Sequence, residues 1–145
     1  MDKQDFIVAE RERALNLFGR RHKPGFENKS QFAEWFIDQL YRQDLSCHYC
    51  ETSIFQINIL IDTGVLKKRK TGHGWRGPVL EVDKCSNHFG YSPENCVLSC
   101  YYCNNDKSYT LDSEAYKQFF GLNRKAFFEF LAAGYQVAQD GKAQV

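Results

Sequence analysis

Residues 78–108 read PVLEVDKCSNHFGYSPENCVLSCYYCNNDKS, and three changes of pattern inside them decide the fold. Pro78-Val79-Leu80-Glu81-Val82-Asp83 predicts a strand, and Cys96-Val97-Leu98-Ser99 predicts its hairpin partner. Asn87, Gly90 and Pro93 carry the turn chemistry of the loop between them. After Cys103 the chain turns helical.

The end of the stretch, Cys100-x-x-Cys103, repeats the spacing of Cys47-x-x-Cys50 upstream. A two-residue spacer lets both thiolates of a pair converge on one tetrahedral ion at about 2.3 Å, and four such thiolates close a structural Zn²⁺ site. One pair would suffice for redox work, so the duplicated knuckle favours zinc. With sulfur in all four positions no place is left for water, so this ion organises structure and is not a catalyst. The insert between the knuckles exceeds the roughly 15–20 residues of a simple ribbon, so the metal would staple a middle helical region to the hairpin across a large loop. The other two cysteines, Cys85 and Cys96, could face each other across the hairpin and read as small buried apolar packing.

Working outward, 145 residues with 43% hydrophobic and 26% charged composition predict one soluble folded domain. No apolar run approaches the about 20 residues of a membrane span, and Met1-Asp2-Lys3-Gln4-Asp5 lacks the pattern of a secretory signal, so export is not expected. Net charge is +1, which leaves any polyanionic partner to local clusters: Arg20-Arg21-His22-Lys23 and Lys67-Lys68-Arg69-Lys70. A helix is expected from Asp5 to about Phe18, ending at Gly19. Asn28 with Gln31 suggests a capping box for a second helix, whose Phe32, Ala33, Phe36, Ile37 and Leu40 form one face. Residues 53–61 fit a strand or a helix, and the Ser53–Gln56 capping box with Gly64 as a stop favours the helix. Gly72–Gly77 reads as a flexible Gly-rich loop in which Trp75 packs, and Asp112 and Asn123 are expected to cap two closing helices, 113–120 and 124–138.

Leu80-Glu81-Val82-Asp83-Lys84, Gly90-Tyr91-Ser92-Pro93-Glu94-Asn95 and Leu98 through Ser108, with the paired knuckle upstream, resemble the HNH endonucleases, the ββα-metal or His-Me finger family. Within it the likeness is to PacI-type zinc-containing restriction and phage enzymes, which share a Tyr inside the upstream knuckle, an Asp followed by a basic residue, and a Gly-Tyr-Ser-Pro-x-Asn loop. The resemblance spans about Cys47 to Ser108. It implies an α+β fold: a ββα-metal core over 45–108, stapled by Cys47, Cys50, Cys100 and Cys103, with a helical extension over 1–44 and C-terminal helices over 109–145.

The same resemblance implies that Asp83 and Asn104 hold a catalytic Mg²⁺ or Mn²⁺ and that Asn95 fixes the loop. One carboxylate and one amide oxygen suit a hard cation that keeps several waters. The usual His after the Asp is Lys84 here, which suits charge stabilisation on phosphate better than proton abstraction. Tyr49 would replace the missing base, with His48, His73 and His88 as competitors. Lys67, Lys68, Arg69, Lys70 and Arg76 are the expected nucleic-acid contacts. The expectation is thus a cytoplasmic, bacterial or phage-like DNA endonuclease, with a homodimer as the simple route to cutting both strands. Its rivals are a non-catalytic zinc module that binds nucleic acid and a zinc-built protein-interaction adaptor.

Overall fold

In the computed structural model, which describes residues 1–21 and 23–143, the chain opens with a helical pair. Helix α1 (Lys3–Leu17) starts where the Asp2 side chain accepts from Asp5 N, and α2 (Lys29–Arg42) where Asn28 accepts from Gln31 N. Phe32, Ala33, Phe36, Ile37 and Leu40 are buried against α1, which contributes Phe6, Ile7 and Ala14. Glu10 is buried on α1 and paired with Arg13, whose guanidinium also donates to the Leu80 carbonyl at 2.8 Å. That bond ties the helical pair to the central hairpin.

Helix α3 (Ile54–Asp62) resolves the ambiguous segment. Ser53 Oγ accepts from Phe55 N and Gln56 N, Ile54, Ile57 and Leu60 are buried, and Gly64 follows at φ +79°. The Gly-rich segment is not a loop but part of a hairpin: β1 (Arg69–Thr71) pairs antiparallel with β2 (Gly74–Arg76) around a Gly72-His73 turn. Strands β3 (Leu80–Lys84) and β4 (Cys96–Cys100) form the second antiparallel pair, with Asp83 opposite Val97. The pairing begins at Leu80 rather than Pro78, whose carbonyl instead accepts from Asn58 Nδ2. Helix α4 (Tyr101–Lys107) follows β4 without a gap, earlier than expected, because Cys100 acts as N-cap and its Sγ accepts from Cys103 N at 3.4 Å. The second knuckle therefore lies on the first helical turn of a ββα unit.

The two separate C-terminal helices are not observed. A short α5 (Ser113–Tyr116) passes through a π-helical turn, Lys117–Gly121, directly into α6 (Leu122–Ala143). Asp112 makes no side-chain cap bond, and Asn123 donates its amide to Phe119 O instead of capping a helix. Gly121 explains the distortion: it packs so closely on the Tyr49 carbonyl that any Cβ would collide with it. The π-turn, with its extra residue, presents this glycine to the knuckle. One cluster of buried residues runs from Phe6 on α1 to Phe128 on α6, so helices lie on both sides of the ββα unit. No described helix is long and apolar enough to cross a membrane.

Candidate functional site

Cys47 and Cys50 sit on the turn before α3, and Cys100 and Cys103 at the β4–α4 junction. All four are free and buried, and their sulfurs lie within 4.8 Å of one another. Cys50 Sγ and Cys100 Sγ are 3.9 Å apart. Sulfurs each about 2.3 Å from a tetrahedral ion would stand about 3.8 Å from one another. The cluster thus fits zinc. Burial first, and then the neighbouring cysteines, push the Cys100 thiol well above its ordinary range, so a cation is what would make thiolates tolerable in this volume.

The knuckle also delivers Tyr49 to the hairpin. Its ring is fully buried, edge-on to Tyr116, and its hydroxyl donates to Asp83 Oδ2 at 2.5 Å while accepting from Ser113 Oγ at 3.0 Å. Burial and the Asp83 carboxylate push the phenol well above its usual pKa, so in this state Tyr49 is a proton donor. Asp83 itself is 7% exposed, and Oδ2 is also 3.2 Å from the ammonium of Lys107, a side chain with no exposure at all. Lys107 donates further to the Lys84 carbonyl at 2.9 Å, locking the end of β3 to the end of α4. Among the described residues, nothing donates to Asp83 Oδ1.

Asp83 opens onto a cavity of about 670 Å³ that Lys84 and Asn104 also line. The Asn104 amide nitrogen donates to Glu81 Oε1 at 2.9 Å, which leaves the amide oxygen as its unpartnered end among the described residues. Glu81 is in turn fixed by Arg76 at 2.6 and 2.8 Å, and the Arg76 guanidinium lies 4.5 Å from the Tyr101 ring centroid. Those bonds to Glu81 raise the already high Arg76 pKa and leave this arginine committed to the protein rather than free for nucleic acid. Lys84 Nζ stands over the Tyr91 ring at 5.2 Å. Arg13, Arg20, Arg21 and Lys23 line the same cavity, although Lys23 is held by the carbonyls of Leu17, Phe18 and Arg21. His22 of that cluster lies outside the described residues.

Asn95 spans the β3–β4 loop, accepting from Ser86 N and donating to the carbonyls of Ser86, Phe89 and Gly90. The three histidines separate. His73 lines the cavity, His48 lines a different one with Lys117 and Glu51, and His88 is exposed in the loop and lines neither. Burial lowers the His48 pKa to about 4. Lys67, Lys68, Arg69 and Lys70 are all exposed on the approach to and along β1. Trp75, expected to pack inward, is 48% exposed because its position on β2 faces Lys70 across the ribbon. Cys96 is buried and its thiol is pushed up to about 11, as suits an inert packing residue.

Lys107, Ser113 and Glu81 escaped the sequence reading as site residues. Two of them left a signal: Lys107 stands one helical turn after Cys103, and Glu81 precedes Asp83 by two positions on the same strand face.

Comparison with known proteins bears on the fold. One solved structure, the rare-cutting HNH restriction endonuclease PacI, matches over 87% of this chain and 79% of its own with a TM-score of 0.55 and 24% identity. The chain has an HNH-endonuclease fold. No protein-family profile and no curated protein sequence matches it.

Proposed function

We propose that this chain hydrolyses DNA phosphodiester bonds, with Asp83 and Asn104 holding a Mg²⁺ or Mn²⁺ ion. The observation that carries the reading is the pair of unpartnered oxygens, one carboxylate and one amide, on the wall of a single basic cavity beside the ββα unit. Glu81 orients the amide by its nitrogen, and Tyr49 and Lys107 hold the carboxylate by its other oxygen. Donors of this type suit a hard cation that retains waters. Bound there, the cation would stabilise charge on the scissile phosphate and on the leaving oxygen.

The remaining work falls to the chain. Lys84, whose ammonium stands over the Tyr91 ring, also lines the cavity, and its part is to offset negative charge developing on phosphate. Tyr49 is fully buried and gives its own proton to Asp83, so its part is to hold the carboxylate rather than to act as the expected base, and His73 on the cavity wall is the proposed proton acceptor. Lys67–Lys70 track the DNA backbone. A non-catalytic nucleic-acid module would explain Lys84 in the His position but not why Glu81 and Lys107 prepare two open oxygens. Asp83 and Asn104 would hold one ion per chain, so cutting both strands calls for two copies.

Two variants separate the ions. Asp83→Ala is expected to abolish plasmid cleavage with zinc content unchanged, whereas Cys100→Ser loses zinc and fold together. Equal loss of zinc in both would overturn the assignment of separate structural and catalytic metals.

A further inference from the structure

The β1–β2 hairpin has two faces of different character. Residues directly opposite in the register share a face, so Arg69 and Arg76 lie on one side and Lys70 and Trp75 on the other, with Lys68 in line with Lys70 two positions before it. The first side is tied down by the Arg76 bonds to Glu81. On the second, the ammonium groups of Lys68 and Lys70 lie 4.5 and 5.0 Å from the Trp75 ring centroid. No carboxylate pairs with Lys67, Lys68, Arg69 or Lys70 among the described residues, in a chain whose net charge is only +1.

The base of this ribbon is rigid. Tyr102 donates to the Lys67 carbonyl at 2.7 Å, and Gly77, at φ +127°, passes so close to the Tyr102 hydroxyl that a Cβ would stand 2.9 Å from it. Tyr102 belongs to α4, the helix that carries Asn104. The ribbon is therefore indexed to the same helix as the amide oxygen, and Thr71, His73 and Trp75 line the same cavity as Asp83. An exposed indole held between two unneutralised cations, on an arm that lines that cavity, suits a polyanion that also offers apolar base edges. A two-stranded ribbon is narrow enough for the about 12 Å major groove of a duplex.

We propose that the Trp75 face of the β1–β2 ribbon contacts duplex DNA beside the scissile phosphate, with the Trp75 ring against base edges in the groove and Lys68 and Lys70 on the flanking phosphates. The identity of the polymer rests on the endonuclease reading; the assignment of Trp75 is additional to it. Lysines on phosphate bind without regard to sequence and release counterions, whereas an indole on a base gains little from either. The two kinds of contact therefore have different signatures.

The test uses the zinc-loaded protein with a short labelled duplex, Ca²⁺ replacing Mg²⁺ during binding. Of the two tryptophans, Trp35 is packed among Phe26, Phe32 and Phe36, so duplex-induced quenching of indole emission reports Trp75. Wild type should quench and Trp75→Phe should not. Trp75→Ala should weaken binding about 10-fold or more with the salt dependence unchanged. Lys68→Ala with Lys70→Ala should instead lower the slope of log affinity against log salt by about 2. If wild type cuts plasmid, and Trp75→Ala binds and cuts as wild type does, the inference is overturned while the endonuclease reading stands. If wild type neither binds nor cuts duplex DNA, both fall.

Discussion

Replacing Tyr49 by Phe removes a single oxygen from the centre of the site and leaves the ring in place. The ring is packed edge-on against Tyr116 and His48, both with centroids 5.1 Å away, so the volume of the core is conserved. What is lost is the bond to Asp83 Oδ2 at 2.5 Å and the acceptor for Ser113 Oγ at 3.0 Å. Asp83 keeps Lys107 at 3.2 Å, so its charge remains paired. A hydrogen bond to a charged group contributes about 1.5–3 kcal/mol, which at this chain length corresponds to a melting temperature lower by about 3–12 °C. The second consequence is kinetic. With the carboxylate still held by Lys107, the variant should nick plasmid within about ten-fold of wild type at a temperature where it is still folded, whereas loss of the proton acceptor itself would cost about 10²–10⁴-fold. Thermal denaturation and single-turnover cleavage of the zinc-loaded variant measure the two effects separately. A Tyr49→Phe variant slowed by about 10²-fold or more would refute this reading and make the phenol part of the proton transfer. His73→Ala, on the cavity wall, should carry that larger loss instead.

Lys107→Met should destabilise the fold by about 3–5 kcal/mol in urea titration, because it leaves the nearly buried Asp83 carboxylate without its ammonium; a cost below about 1 kcal/mol would mean the pair does not hold this corner. Gly121→Ala should lower stability by about 1–3 kcal/mol and disturb Tyr49, since the added methyl meets the Tyr49 carbonyl; an unchanged melting curve would refute the close packing of the π-turn. Burial raises the pKa of both Cys85 and Cys96, the latter to about 11, so each holds less thiolate at pH 8 than a free thiol does. Alkylation should therefore be slow in the folded protein, speed up as pH rises and become fast on unfolding, and prompt labelling of Cys96 at pH 8 would contradict its place in the core.

Much of this architecture was legible in the sequence because the decisive signals are local. The Asn28 and Ser53 caps, the apolar face of α2 and the doubled Cys-x-x-Cys spacing each act through residues a few positions apart. The C-terminal region was misread for the opposite reason. Asp112 and Asn123 have cap chemistry, but the geometry there is set by the distant contact between Gly121 and Tyr49, which no window of sequence reveals. Trp75 was placed inside on residue type alone, and only the pairing of β1 with β2 shows that it shares a face with lysines. In the candidate site, Asp83, Asn95 and Asn104 could be named from the motif, whereas Lys107 on Asp83 and Glu81 on Asn104 required the hairpin and helix to be brought together. His88 was attractive for its position in the loop, but the loop turns it to the surface.

Two prepared oxygens in a basic cavity are what would make this fold a metal-dependent nuclease. Incubating zinc-loaded protein with supercoiled plasmid, with Mg²⁺ or Mn²⁺ added or withheld, tests it most directly. The account predicts nicked or linear DNA only when the divalent ion is added. Plasmid left intact with either ion, by protein that still binds it tightly, would contradict the account and leave a DNA-binding module without chemistry.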